Sequence, residues 1–320
     1  MKLMVWFLLA LLLVSAVCSP VVYFHSEVKA APSNQDIFFG VTFGGNTTSE
    51  AKLLIDKVKG YTNLFIVASW DICARPNETD LNEICEYAAN ANMNFMVYFS
   101  FIFFNSTRPV GGFYNSSSWD DFGITPWHIP WLNAAKERWG NKFLGVYLYD
   151  EPGGKQIDTR YWGGNNSTRS GSMIRTFENV SDYSDAANRF VSSIIRSGSM
   201  QHVKNNSIAN SINSPLSVFT SDNALYWFDY LAGYDAVFAE LGWNHNQAQH
   251  IGLCRGAANV QNKQWGAIIT WASNDPPYLA SGKQMLQDLN MAYSSGAQYL
   301  IVFNYPQINP YGALTDEHFK

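Results

Sequence analysis

Apolar and polar positions along this chain follow two rhythms that take turns. Short runs alternate face by face: Ile37–Phe43, Leu64–Ser69, Phe95–Phe101, Phe143–Asp150, Leu216–Thr220, Ala236–Glu240, Gly266–Trp271 and Tyr299–Asn304 each read as a strand. Between most of them, Ser49–Val58, Leu81–Ala91, Ile129–Arg138, Tyr183–Ile195, Ala224–Leu231, Gln247–Val260 and Lys283–Tyr293 carry apolar residues at steps of three and four. That is the period of an amphipathic helix. Strand and helix alternating up to eight strands predict an α/β fold, a (β/α)8 TIM barrel over residues 31–320 with no second-domain boundary. Thr315-Asp-Glu-His-Phe is expected to open the last helix, truncated at Lys320. Two connections are long, Asn105–Pro126 after strand three and Gly153–Ser181 after strand four. Both follow a strand, which places them on the carboxyl face, where a binding cleft would form.

The fourth strand runs straight into two carboxylates, in Gly145-Val-Tyr-Leu-Tyr-Asp-Glu-Pro152. Leu144, Val146 and Leu148 alternate with Gly145, Tyr147 and Tyr149. The aliphatic set should face the helices and the other set the barrel axis. Glu151 is in phase with the axial set and is expected to point into the barrel mouth. Pro152 ends the strand by removing a backbone donor. Asp150 falls out of phase and is expected to cap the loop.

Charged residues make up 15% of the 320 residues and aromatics another 15%, including 11 Trp and 17 Tyr. Such a chain is not disordered, and a net charge of −5 with no Lys or Arg run argues against nucleic acid as a partner. The Trp and Tyr surplus fits either a plain core or the stacking platforms of a carbohydrate cleft. Leu3 to Val17, behind Lys2, reads as a secretory signal, and apolar character continues through Val21, Val22, Tyr23 and Phe24. Residues 1–30 are therefore expected to be a signal peptide or membrane anchor with a short linker. The barrel would then be extracellular, secreted or tethered at the outer face of the cell membrane. Asn46, Asn77, Asn105, Asn115, Asn165, Asn166, Asn179 and Asn205 each open an Asn-x-Ser/Thr triplet, in keeping with export. In an oxidising compartment Cys73 and Cys85 are expected to form a disulfide, contributing roughly 2–3 kcal/mol. Cys254 is expected to be a buried, inert thiol.

The strand ends bring a defined set of groups to the mouth: Ser69-Trp70-Asp71, Tyr98 with Ser100, Tyr149-Asp150-Glu151, Asp222, Glu240 with Trp243, Trp271, and Asn304-Tyr305. A carboxyl pair among aromatic walls suits glycosidic bond cleavage, one group as an acid with a raised pKa and the other as nucleophile or base. Glu151 is the expected proton donor. Glu240, a charge in the otherwise apolar Ala236-Val-Phe-Ala-Glu-Leu, is the expected nucleophile or base. Asp71, Tyr98, Tyr149, Asp150, Asp222, Trp243, Trp271, Asn304 and Tyr305 are expected to bind substrate. A purely structural account would pair Glu151 with Arg160 and make Glu240 part of a barrel-end salt bridge. No cofactor or metal is expected: the chain has no Gly-x-Ser-x-Gly elbow, His-Glu-x-x-His helix or phosphate loop, and His245 and His250 are five apart.

The run Tyr147-Leu-Tyr-Asp-Glu-Pro152 resembles the strand-four signature of the large retaining glycoside hydrolase clan, in which Asn-Glu-Pro carries the acid/base glutamate. That resemblance implies a TIM barrel with Glu151 as acid/base. The chain departs from the clan where Trp271 stands in place of the strand-seven nucleophile and Asp150 in place of the Asn. A pair on strands four and six resembles the α-galactosidase-like clan, where both residues are aspartates. Adjacent Asp150-Glu151 resembles the family-20 hexosaminidases, whose Asp holds a substrate acetamide that itself attacks. As a whole the chain is similar to secreted archaeal barrel proteins ending in "FNYP…NPYG", here Phe303–Pro306 and Asn309–Gly312. The expected function is an extracellular glycoside hydrolase acting on an oligo- or polysaccharide. The alternative is a non-catalytic glycan-binding or cell-surface barrel.

Overall fold

A computed structural model describes residues 36–73, 78–99, 128–154, 179–196, 200, 203–204 and 216–320. Eight strands form a closed barrel, each parallel to the next, with the last returning to the first. They are β1 (Phe38–Phe43), β2 (Leu64–Val67), β3 (Asn94–Tyr98), β4 (Phe143–Tyr147), β5 (Ser217–Asp222), β6 (Ala236–Leu241), β7 (Gln264–Ile269) and β8 (Tyr299–Val302). The helices among the described residues are α1 (Thr48–Val58), α2 (Trp70–Cys73), α3 (Glu78–Asn90), α4 (His128–Trp139), α5 (Tyr183–Arg196), α6 (Tyr226–Ala232), α7 (Gln247–Val260) and α8 (Gly282–Ser294). This is the (β/α)8 barrel that the alternating rhythms predict. None of these helices is long and apolar enough to cross a membrane.

The alternation sorts side chains into two cores. One lies on the axis, where Leu64, Ile66, Met96, Tyr98, Tyr147 and Phe219 pack with Phe238, Ile268, Tyr299 and Ile301. The other fills the space between strands and helices, with Val41, Phe65, Val97, Val146, Val218 and Val237 facing Leu54, Ile84, Trp131 and Cys254. A plugged axis means that chemistry can happen only above it, at the strand ends. Gly145 has φ 146°, and a Cβ there would lie 2.1 Å from the Ser217 carbonyl oxygen, so only glycine fits where β4 runs against β5. Thr47 caps α1 in a reciprocal box with Glu50, the Glu50 N–H reaching Thr47 Oγ1 at 3.2 Å and the Thr47 N–H reaching Glu50 Oε2 at 3.0 Å.

Two expectations are corrected. Residues 316–319 form turns and no helix opens at Thr315, although the Thr315 N–H bonds to His318 Nδ1 at 3.0 Å as a helix cap would. Cys73 and Cys85 are free thiols, not a disulfide. Both are fully buried in the helix-side core, and Cys73 Sγ is turned to the Val67 carbonyl at 3.4 Å. Burial pushes the Cys73 thiol up to about 12. The expected inert Cys254 is likewise a buried free thiol. The leader, Ser100, Arg160, most of both long loops, and the sequons at Asn77, Asn105, Asn115, Asn165, Asn166 and Asn205 lie outside the described residues. Asn46 and Asn179 are exposed.

Candidate active site

Glu240 is aimed by register. It lies two residues beyond Phe238 and four beyond Ala236, both on the axial side, so the same phase carries its side chain onto the axis. On the neighbouring strand Ser221 lies two beyond axial Phe219, and Ser221 pairs with Phe238. A polar layer therefore sits directly on the apolar plug. Ser221 Oγ donates to Glu240 Oε1 at 2.5 Å, and the Tyr147 hydroxyl donates to Ser221 Oγ at 2.5 Å. Sequence reading missed Ser221 by ending strand five at Thr220. The signal was there: Phe219 and Ser221 continue the period of two.

Glu151 is aimed differently. β4 ends at Tyr147, after which Leu148 N–H bonds to Phe219 O at 2.8 Å and Glu151 N–H to Ser221 O at 3.0 Å. Three residues of one chain thus span two of the other. This insertion acts as a bulge, turning the strand end at the cost of left-handed backbone at Tyr149 (φ 60°) and Glu151 (φ 51°). Tyr149 leaves the axial phase and packs in the helix-side core, so its expected role in the mouth is not supported. Glu151 nonetheless reaches the mouth, where its carboxyl bears on that of Glu240 both as a charge and as a hydrogen-bonding neighbour. Asn223 Nδ2 approaches Glu151 Oε1 at 3.4 Å.

The electrostatics follow from this contact. Glu240 is buried, and its carboxyl is held well above the usual carboxylate range. Burial is the largest cause; the charge of Glu151, the charge of Asp150 and the hydrogen bond with Glu151 add to it, while the Ser221 hydroxyl opposes it. Two carboxyls this close cannot both ionise cheaply, so they titrate as a pair, with Glu240 pushed upward. Asp150 bears on both Glu240 and Tyr147, closer to the pair than its phase predicted. The expected salt bridge at Glu240 is absent among the described residues: carboxylates, not cations, dominate its surroundings.

Two other predicted ligands are committed elsewhere. Asp222 alternates with axial Ser221 and points to the helix side, where it is fully buried. Its carboxylate accepts N–H bonds from Gly153, Gly154 (2.8 Å), Asn223 (2.8 Å) and Ala224 (3.0 Å). Asn304 is out of phase with axial Ile301 and Phe303 and anchors the tail. Its Oδ1 accepts from Ala313 at 2.8 Å and Leu314 at 3.2 Å, and its Nδ2 donates to Tyr311 O at 2.8 Å. Neither is free to hold a substrate. Tyr98 lies in the axial plug against Tyr147, below the pair. Asp71 lies half-buried on α2, and the largest charge effects on Glu240 come from Glu151 and Asp150.

Three predicted aromatics do come together. Trp271, after β7, stacks on Tyr305 with ring centres 6.3 Å apart and planes 12° from parallel. Trp243 meets the same indole edge-on at 5.9 Å, and its N–H bonds to Trp271 O at 2.8 Å. Tyr278 packs against it at 5.1 Å. Tyr305 keeps 43% of its surface exposed, so the cluster presents aromatic area at the ends of β6–β8. His245 and His250 stack at 5.0 Å, with His250 Nδ1 2.8 Å from the Tyr226 hydroxyl. Among the described residues no group of three or more His, Cys, Asp or Glu could hold a metal ion.

Neither a protein-family model nor a curated protein matches the chain. Solved structures do. An endo-1,4-beta-mannanase from Rhizomucor miehei matches with TM-score 0.51 and 11% identity, over 86% of this chain and 87% of that one. A cold-adapted beta-galactosidase from Rahnella sp. R3 matches with TM-score 0.50 and 10% identity, over 90% of this chain but 53% of its own, so this chain spans about half its length. An HpcH/HpaI aldolase from Desulfitobacterium hafniense DCB-2 matches with TM-score 0.39 and 13% identity, over 84% of this chain and 86% of that one. Identities this low speak for the shared barrel alone.

Proposed function

We propose that this barrel cleaves glycosidic bonds with Glu151 and Glu240 as its carboxyl pair. The observation that carries this reading is the contact itself. Two glutamates converge above the axial plug, and burial and their mutual charge hold Glu240 well above the usual carboxylate range. The two carboxyls interact closely enough that each bears on the other's ionisation. They fit the close pair of a retaining displacement, about 5–5.5 Å, rather than the roughly 6.5–9.5 Å of inversion. The proton favours roles opposite to those implied by the Asp-Glu-Pro resemblance. Glu240 gives its proton to the leaving oxygen as a Glu151 oxygen attacks the anomeric carbon and the glycosidic bond breaks. Water then attacks that carbon, returns a proton to Glu240 and releases Glu151. The aromatic cluster offers stacking faces for the flanking sugars.

Azide separates the roles. With an activated aryl glycoside, Glu240→Gly should lose its acid/base and give a retained glycosyl azide when azide is added. Glu151→Gly should lose its nucleophile and give the inverted azide. Each variant alone should fall by about 10²–10⁴ in kcat. Exchanged azide anomers would restore the roles of the resemblance. Unchanged turnover in both variants would remove the pair from the chemistry.

A further inference from the structure

A second carboxyl pair lies behind the first, on the helix side of β5. Asp229, on α6, is fully buried, and neither of its carboxyl oxygens has a hydrogen-bond partner. The Asp222 carboxyl bears on it both as a charge and as a hydrogen-bonding neighbour. The titratable groups that face it are Asp222 from β5, the Tyr226 and Tyr230 phenols of its own helix, the Tyr234 phenol that follows, and the Cys254 thiol of α7. None is a cation. Asp222 is the better anion of the two, since four backbone N–H groups converge on it. Asp229 has no donor of its own, so it completes the contact only by bringing a proton.

The contact matters because of what Asp222 holds. Its N–H donors Gly153 and Gly154 begin two residues after Glu151. The seam is tight: a Cβ on Gly153 would stand 2.8 Å from both Asp222 Oδ2 and Leu225 Cβ. We propose that Asp229 is a positioning residue, an acid that donates a hydrogen bond to Asp222 and so locks the Gly153–Gly154 turn that fixes Glu151 over Glu240. The proposal rests on the glycosidase reading only for its effect on turnover. The protonated acid itself can be tested without any substrate. Burial and the Asp222 charge hold Asp229 well above the usual carboxylate range, and Asp222 is itself pushed up to about 7, so the two share at least one proton at neutral pH.

Infrared spectroscopy of the full chain in ²H₂O at neutral pH reads protonated carboxyls directly by their carbonyl stretch. Asp229→Asn should remove one such band, leaving the band that Glu240→Gln removes. An unchanged spectrum in Asp229→Asn would overturn the proposal, whether or not a substrate is known. Turnover of an aryl glycoside panel then tests positioning. Asn keeps a donor toward Asp222, so Asp229→Asn should stay within about twofold of wild type, whereas apolar Asp229→Leu should lose about tenfold or more in kcat with KM little changed. Equal losses in both variants would overturn positioning and leave a space-filling role. Should Asp229→Leu fail to fold, the Asn variant still decides, because a loss above tenfold in it contradicts the proposal. A chain with the expected spectrum but no turnover by wild type would count against the glycosidase reading alone.

Discussion

Burial and the charges of Glu151 and Asp150 hold Glu240 above the usual carboxylate range, while the Ser221 hydroxyl favours ionisation. That single opposing contact gives a signed prediction. In Ser221→Ala the Glu240 pKa rises further, so the alkaline limb of the pH–rate profile moves to higher pH. The fold should lose about 1 kcal/mol for one hydrogen bond. An alkaline limb that stayed put or moved down would show that Glu240 does not titrate it. At this scale the sequence was only partly legible. A glutamate inside an apolar strand announces itself, whereas Ser221, Asp222 and Asn304 differ only in phase. Counting in twos from Phe219 and Ile301 separates axial Ser221 from helix-side Asp222 and Asn304. The partners that occupy those two residues come from backbone distant in sequence, which no local pattern reveals.

At the scale of elements, the site depends on the departure of β4 from regular pairing. The alternation of Val146, Tyr147 and Leu148 places the strand correctly as far as it goes. The inserted residue then breaks the phase, which is why Tyr149 was expected in the mouth and is found in the helix-side core. Nothing in a single strand's sequence encodes such an insertion, because it is defined by the neighbour's register. Pro152 lies beyond the strand's end, which comes at Tyr147 and not at the proline. The turn that follows is fixed by contact: in Gly153→Ala the new methyl would meet Leu225 Cβ at 2.8 Å and the Ala224 carbonyl at 2.9 Å. That substitution should cost about 1–3 kcal/mol by urea denaturation and lower turnover with it. A neutral substitution would show that the two loops are not sealed together.

The whole molecule was the most legible level. Eight apolar runs spaced by amphipathic helices leave little choice of architecture once the strands are parallel and the crossovers right-handed. The buried acids add a property of the whole molecule that composition hides. Glu240, Asp222 and Asp229 all bind protons more tightly when folded than when unfolded. Their stabilisation is fully present below the ordinary carboxylate values of 3.8 and 4.5, and for Asp222 it is lost as pH rises through about 7. Tm should therefore fall between those limits, and the Tm of Asp229→Asn relative to wild type should rise with pH. A Tm difference independent of pH would contradict a protonated Asp229. The exposed Asp56 and half-buried Asp185, held down by Lys59 and Arg189, contribute the opposite slope only at the acid end.

In the proposed mechanism Glu151 attacks the sugar while Glu240 supplies the proton. A panel of 2-deoxy-2-fluoro glycosides with dinitrophenolate leaving groups, followed by peptide mass spectrometry, tests it most directly. The fluorine slows release of a covalent intermediate, so a retaining nucleophile keeps the sugar. One fluoroglycosyl adduct is expected on the peptide containing Glu151, and it should be lost in Glu151→Gln. An adduct on Glu240, or turnover of the parent glycosides with no adduct on either glutamate, would contradict it.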